Sequence, residues 1–118
     1  PINRPMINKG IVIKFNAAQH YTTDAVSCAV YRDLCESNDI PVQVFTNRSD
    51  TRGGSTLGNV SNAHVSLNTV DIGLAQLAMH SCYETVGARD TKHLVDAMTI
   101  FYSKTFRVDA SGSFELLD

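Results

Sequence analysis

One histidine lies where α/β proteins commonly place reactive groups. The β-type apolar run Thr69-Val-Asp-Ile-Gly73 leads into a loop that carries His80. In open α/β sheets, ligands gather outside the carboxyl ends of the strands, and imidazole is a common metal ligand. His80 is therefore a candidate metal ligand, and the alternative is a hydrogen-bonded structural histidine. A zinc site needs about three or four protein ligands, so one imidazole means either no metal or further ligands from other sequence.

Two other features could bind a ligand. Gly53 and Gly54 lack the spacing of a nucleotide-binding loop, but paired glycines let a ligand approach bare backbone N–H groups. They could instead form a tight turn before a helix. Lys14 stands between Ile13 and Phe15 in an apolar run, where a cation is costly to bury without an anion. Its ammonium either reaches water at a sheet edge or receives an acidic ligand.

The elements that would position these residues alternate between strand and helix. Runs of β-formers predict strands at 11–15, 42–46 and about 68–72. Helical spacing predicts a helix after the possible caps Thr22, Thr23 and Asp24, a weaker helix at about 56–63, and a last helix capped by Asp90 or Thr91 and ending near Lys104. The tail from 106 to 118 is expected to be partly loose.

This alternation predicts an α/β fold with a mainly parallel sheet and flanking helices, in a single unit spanning residues 1–118. Three loops should meet at one edge of the sheet: the loop after Phe15, the loop at 47–55, and the His80 loop.

Composition limits the classes of protein that fit. The chain has 118 residues, 43% hydrophobic and 19% charged, with a net charge of -2. Scattered basic residues argue against a nucleic-acid surface, and no run approaches the roughly 20 apolar residues that cross a bilayer. Without a secretory pattern, a cytoplasmic location is expected. Cys28, Cys35 and Cys82 are expected to be reduced. The chain begins with Pro1 rather than Met, which suggests a piece of a longer protein.

Three blocks, in order, resemble a known family. They are Val12-Ile-Lys-Phe-Asn16 with Tyr21 and Asp24-Ala-Val26, then Asn47-Arg-Ser-Asp50 with Gly53-Gly-Ser-Thr-Leu-Gly58, and then Val70-Asp-Ile-Gly73 with Gln76-Leu-Ala-Met-His-Ser81 and Glu84. From Gly10 to Tyr102 the sequence resembles the carboxyl-terminal part of the aspartyl aminopeptidase family. These are dinuclear zinc exopeptidases that assemble into tetrahedral dodecamers.

The resemblance implies roles for six residues. His80 matches the family's last zinc ligand, and Lys14 matches the lysine that faces an acidic first side chain of the substrate. Tyr21 lies near the same pocket. Gly53, Gly54 and Ser55 match the family's loop that lies near the scissile carbonyl. The implied fold is the final segment of a three-layer α/β/α catalytic domain. Ala75 departs from the family, which usually has proline there, so the turn presenting His80 would be less rigid.

The family's other zinc ligands and its general-base glutamate lie upstream of the matched region. The resemblance therefore implies a fragment with no catalytic residue of its own and an incomplete site for two zinc ions. The leading hypothesis is a C-terminal piece of a zinc aminopeptidase that removes acidic N-terminal residues from peptides, is inactive in isolation and belongs to a homo-oligomer. The alternative is a non-catalytic α/β module that self-associates through apolar surfaces. Nucleotide binding at the glycine loop is a third hypothesis, against which the spacing of Gly53 and Gly54 argues.

Overall fold

The main sheet is built around its first strand, β1 (Ile11–Phe15). The computed structural model describes residues 3–117, so residues 1, 2 and 118 of the predicted unit lie outside the described residues. The remaining elements are α1 (Ala25–Glu36), β2 (Val42–Thr46), α2 (Leu57–His64), β3 (Ile72–Gly73), β4 (Gln76–Leu77), β5 (Thr85–Val86), α3 (Ala88–Ser103), β6 (Thr105–Val108) and β7 (Phe114–Leu117).

The sheet order is β2-β1-β3. β1 and β2 pair in parallel along their whole length, from Ile11 opposite Val42 to Phe15 opposite Thr46. This confirms the α/β class and the predicted bounds of both strands. β3 is shorter than predicted and runs antiparallel to β1, with Ile72 opposite Ile13. Its direction could not be read from the sequence, because side chains alternate between the two faces of a strand in either direction.

The core lies between β1 and two helices. The buried cluster contains Ile11 and Ile13 of β1, Leu34 and Cys35 of α1, and Ala97 of α3. Because alternate residues of a strand face opposite ways, these odd-numbered positions of β1 face α1 and α3. Lys14, at an even-numbered position, therefore lies on the other face of the sheet, away from this cluster.

The two long helices begin in different ways. Asp24, one of the three predicted candidates, caps α1. Its side chain accepts a hydrogen bond from the backbone of Ser27, and the Ser27 hydroxyl accepts one from the backbone of Asp24. The predicted cap of the last helix was wrong, because the helix is capped by Gly87, three residues before Asp90, and α3 begins at Ala88. The carboxylate of Asp90 instead accepts hydrogen bonds from the N-terminal segment, and the side chain is fully buried.

Two small hairpins complete the fold. β4 and β5 pair in antiparallel fashion and enclose the His80 loop. β6 and β7 pair from Thr105 opposite Leu117 to Val108 opposite Phe114, so the tail is more ordered than predicted. Its Phe106 ring packs 4.8 Å from that of Phe101.

All three cysteines are free thiols, as predicted. Within residues 3–117, none of the helices combines the length and the apolar character that a bilayer crossing requires.

Candidate functional site

Lys14 forms an ion pair with Asp71. The antiparallel register that sets Ile13 opposite Ile72 brings the next residues, Lys14 and Asp71, together across the sheet, and the Lys14 N–H donates to the Asp71 carbonyl over 2.9 Å. The ammonium of Lys14 lies 2.5 Å from Oδ1 of Asp71, with the two side chains 23% and 8% exposed. The predicted cation in an apolar strand therefore has its counter-ion within the same chain.

Two threonines hold Asp71 in place. The hydroxyl of Thr56, which precedes α2, donates a hydrogen bond to the second carboxylate oxygen of Asp71. The backbone N–H of Asp71 donates to the Thr23 hydroxyl over 2.7 Å. Thr23 is 2% exposed, so this anchor is shielded from water. Because both its backbone and its side chain have partners, the carboxylate has a fixed position beside Lys14.

Tyr21 provides a second neighbour for the lysine. The ammonium of Lys14 lies 4.8 Å from the centre of the Tyr21 ring, within the range of a cation–π contact. Tyr21, which was predicted to lie near the same pocket as Lys14, therefore contacts the lysine directly, and the substrate pocket itself stays a prediction. An ammonium has three N–H donors, so this partly exposed cation can accept a further anionic group in addition to Asp71.

The glycine loop faces the loop after β1. A cleft of about 370 Å³ lies between them, and its lining includes Asn16, His20, Arg48 and Gly53. Two of the three loops predicted to meet at one edge of the sheet therefore do so. A Cβ on Gly53 would lie 2.8 Å from the Asn47 amide nitrogen, so glycine permits a close approach at this position.

The other residues of the glycine loop have different surroundings. A Cβ on Gly54 would meet nothing within 4 Å, and the Ser55 hydroxyl accepts a hydrogen bond from the Asn59 side chain over 2.9 Å. Arg48 and Asp50 form a bidentate pair at the surface, with nitrogen–oxygen distances of 2.8 and 2.5 Å. The Arg48 guanidinium lowers the pKa of the Asp50 carboxyl below its usual value.

His80 lies in the exposed loop between β4 and β5. Its backbone has φ of 67°, and Ala78 has φ of 53°; this left-handed region is unfavourable for residues other than glycine. The backbone N–H of His80 donates to the carboxylate of Glu84, so a turn rather than a helix brings these residues together. His80 is not among the described residues that line the cleft, and its convergence with the glycine loop stays a prediction.

The side chains around His80 do not make up a complete zinc site among residues 3–117. Zinc accepts imidazole nitrogen and carboxylate oxygen, and the Glu84 carboxylate accepts the His80 backbone N–H through one of its two oxygens. Within residues 3–117, no group of three or more His, Cys, Asp or Glu side chains could hold a metal ion. A zinc ion bound here would need ligands from outside these residues.

Sequence reasoning underrated two residues of this region. The pairing of Asp71 with Lys14 was not predicted, and neither was the contact that Thr56 makes with Asp71. The available signal was that two charged residues of opposite sign, Asp71 and Lys14, both lie in predicted strands. Using that signal required the register between β1 and β3, which the sequence does not specify.

Comparison with known proteins gives consistent matches. Residues 1–102 match the family model described as aminopeptidase I zinc metalloprotease (M18). The chain is 48% identical over 103 residues to the probable M18 family aminopeptidase 2 of Clostridium acetobutylicum, which covers 87% of this chain and 24% of that protein. The chain thus spans about a quarter of the length of the curated relatives it matches.

Solved structures agree with this similarity. The crystal structure of yeast aminopeptidase 1 matches with a TM-score of 0.71 and 29% identity, over 86% of this chain and 22% of that one. A chain in the cryo-EM structure of the Ape4 and Nbr1 complex matches with a TM-score of 0.81 and 38% identity, over 85% of this chain and 19% of that one.

Proposed function

The chain belongs to the M18 family of aminopeptidases, and on this premise we propose that it is part of a zinc aminopeptidase that removes N-terminal residues from peptides. The observation that carries the proposal is the family match over residues 1–102, a range that contains all six predicted site residues. Because the chain spans only about a quarter of its relatives, the activity belongs to the longer protein. The 118-residue chain alone is proposed to be inactive.

Lys14 supports a preference for acidic N-terminal residues. Its side chain is 23% exposed, and the position of its ammonium is fixed by Asp71 and by the Tyr21 ring. A fixed cation can bind the side-chain carboxylate of an N-terminal aspartate or glutamate through a charge-assisted hydrogen bond. Gly53, Gly54 and Ser55 are proposed to bind the peptide backbone near the bond that is cleaved.

His80 is proposed to contribute one zinc ligand. Its exposed position and left-handed backbone agree with a residue whose conformation serves a site rather than the core. Bound zinc ions would activate water and polarise the peptide carbonyl. The remaining ligands and the general base are proposed to come from other parts of the longer protein.

The test is His80→Ala in the complete protein, with His64→Ala as the matched control. Both histidines are exposed, but His64 lies in the last turn of α2. We expect His80→Ala to lose bound zinc and at least about 100-fold in hydrolysis of aspartyl and glutamyl arylamides, while the melting temperature of the zinc-free protein is unchanged. Metal content is measured by elemental analysis. Full activity in His80→Ala with normal zinc content would refute the ligand role.

Self-association without catalysis is a second candidate function. The exposed surface includes Leu57, Tyr83 and Tyr102, which are 82%, 84% and 78% exposed. An apolar groove of about 540 Å³ also runs between α1, α3 and the β6–β7 hairpin. Such surfaces favour association, and in the aminopeptidase they are proposed to serve a cytoplasmic homo-oligomer. Light scattering together with arylamide hydrolysis separates the two candidates, because a non-catalytic module would associate and leave the substrate uncleaved.

A further inference from the structure

The cation proposed to receive an acidic substrate already has a buried anion beside it. Asp71 lies 2.5 Å from the Lys14 ammonium, and its side chain is only 8% exposed. Together the two groups carry no net charge. A lysine alone would strongly favour a carboxylate over an uncharged side chain, whereas a neutral ion pair favours it much less.

We propose that Asp71 is a specificity-determining residue that acts through Lys14. It positions the ammonium and offsets part of its charge, so that the site accepts acidic N-terminal residues without excluding uncharged ones. This inference rests on the proposed aminopeptidase function and adds a determinant of its substrate range. Because Asp71 acts through Lys14, it is a positioning residue rather than a catalytic one.

The contacts of Asp71 suit this role. Its second carboxylate oxygen accepts the Thr56 hydroxyl, and its backbone N–H donates to Thr23 over 2.7 Å. The carboxylate therefore cannot turn away when a substrate carboxylate arrives. The substrate must share the ammonium with Asp71, and two carboxylates around one cation repel each other.

One substitution removes the charge of Asp71 and keeps the shape of its side chain. In Asp71→Asn, the amide oxygen can still face the Lys14 ammonium, while the amide nitrogen can donate to the Thr56 hydroxyl, which then accepts. Both contacts of the side chain are kept and only the negative charge is lost. A purely structural role predicts a change in stability. The proposed role predicts a change in the preference between acidic and neutral substrates.

The experiment measures kcat/KM of the complete zinc-loaded protein for aspartyl and leucyl arylamides. We expect Asp71→Asn to raise the aspartyl-to-leucyl ratio roughly tenfold, mainly through a lower KM for the aspartyl substrate. The matched control is Asp96→Asn, which removes the same charge from a surface pair whose carboxylate lies 2.6 Å from Lys92 on α3. The control should keep the wild-type ratio.

A double variant keeps the test decisive if Asp71→Asn fails to fold. Lys14→Met leaves Asp71 as the unpaired charge of the site and should lower the aspartyl-to-leucyl ratio. Lys14→Met combined with Asp71→Asn removes both charges, and neutral replacement of a whole ion pair is commonly tolerated. Relative to Lys14→Met, the double variant should show a higher ratio.

The outcomes separate the inference from the proposed function. In one outcome the wild-type protein hydrolyses the substrates, but removal of the Asp71 charge, in either the single or the double variant, changes the aspartyl-to-leucyl ratio less than about twofold. The inference is then wrong and the proposed function stands. If neither substrate is cleaved, calorimetric titration with free aspartate and free leucine measures the same preference without turnover. A shift toward aspartate in Asp71→Asn then supports the inference while the proposed hydrolysis is refuted, and an unchanged preference overturns both.

Discussion

Replacing Asp90 with alanine should break the hydrogen bonds that join the N-terminal segment to α3 and lower the stability of the fold. The buried carboxylate accepts the backbone N–H groups of Asn8 and Gly10 over 2.6 and 2.8 Å. A hydrogen bond to a charged group contributes about 1.5–3 kcal/mol, so the loss of two gives a decrease of about 3–6 kcal/mol in the free energy of unfolding.

Urea denaturation followed by circular dichroism measures this effect. The control is Asp96→Ala on the same helix, which breaks only a surface pair with Lys92 and should cost less than about 1 kcal/mol. Asp90→Asn should fall between the two, because its amide keeps one acceptor oxygen but turns a donor toward the second N–H group. The reasoning is refuted if Asp90→Ala unfolds within about 1 kcal/mol of Asp96→Ala.

Three further substitutions or reactions test local features. Gly10→Ala should lower the melting temperature by at least about 10 °C, because Gly10 has φ of 107° and a Cβ there would lie 2.1 Å from the Pro41 carbonyl oxygen. Asp24→Ala should cost about 1 kcal/mol at pH 7. A backbone hydrogen bond from Ser27 lowers the pKa of Asp24 below 3.8. The contribution of Asp24 is therefore present above pH 3.8 and is lost as the pH falls through the lowered pKa. In urea denaturation, the stability difference between wild type and Asp24→Ala should be smaller at about pH 2 than at about pH 7. Cys35, whose pKa is raised to about 11 by burial, should resist iodoacetamide at pH 8 while exposed Cys82 reacts, as judged by mass spectrometry; equal labelling of both would contradict the burial of Cys35.

Local sequence signals predicted much of the fold. The runs at β1 and β2 gave the correct bounds, because β-branched and aromatic residues make up most of both strands. The cap of α1 was narrowed to three neighbouring residues that include Asp24, since capping depends on residues three positions apart. These features need only neighbouring residues, so they can be read before the fold is known.

Features that depend on distant residues were not predicted. Asp90 was expected to cap its own helix, but its partners lie 82 and 80 residues away. The ion pair between Lys14 and Asp71 likewise depends on the register of two strands far apart in sequence. The amino-acid types suggested which groups needed partners, whereas the partners themselves followed only from the packing of the elements.

The two buried aspartates show why burial alone does not mark a functional residue. Asp90 is fully buried, and both backbone partners of its carboxylate lie in the N-terminal segment, so its removal should appear as a loss of stability. Asp71 is nearly as buried, but its partner is a side-chain cation that remains 23% exposed. A ligand can compete for that cation and cannot reach the backbone groups held by Asp90. Loss of the Asp71 charge should therefore change which ligand binds, and this difference in readout distinguishes a carboxylate that supports the fold from one that shapes a site.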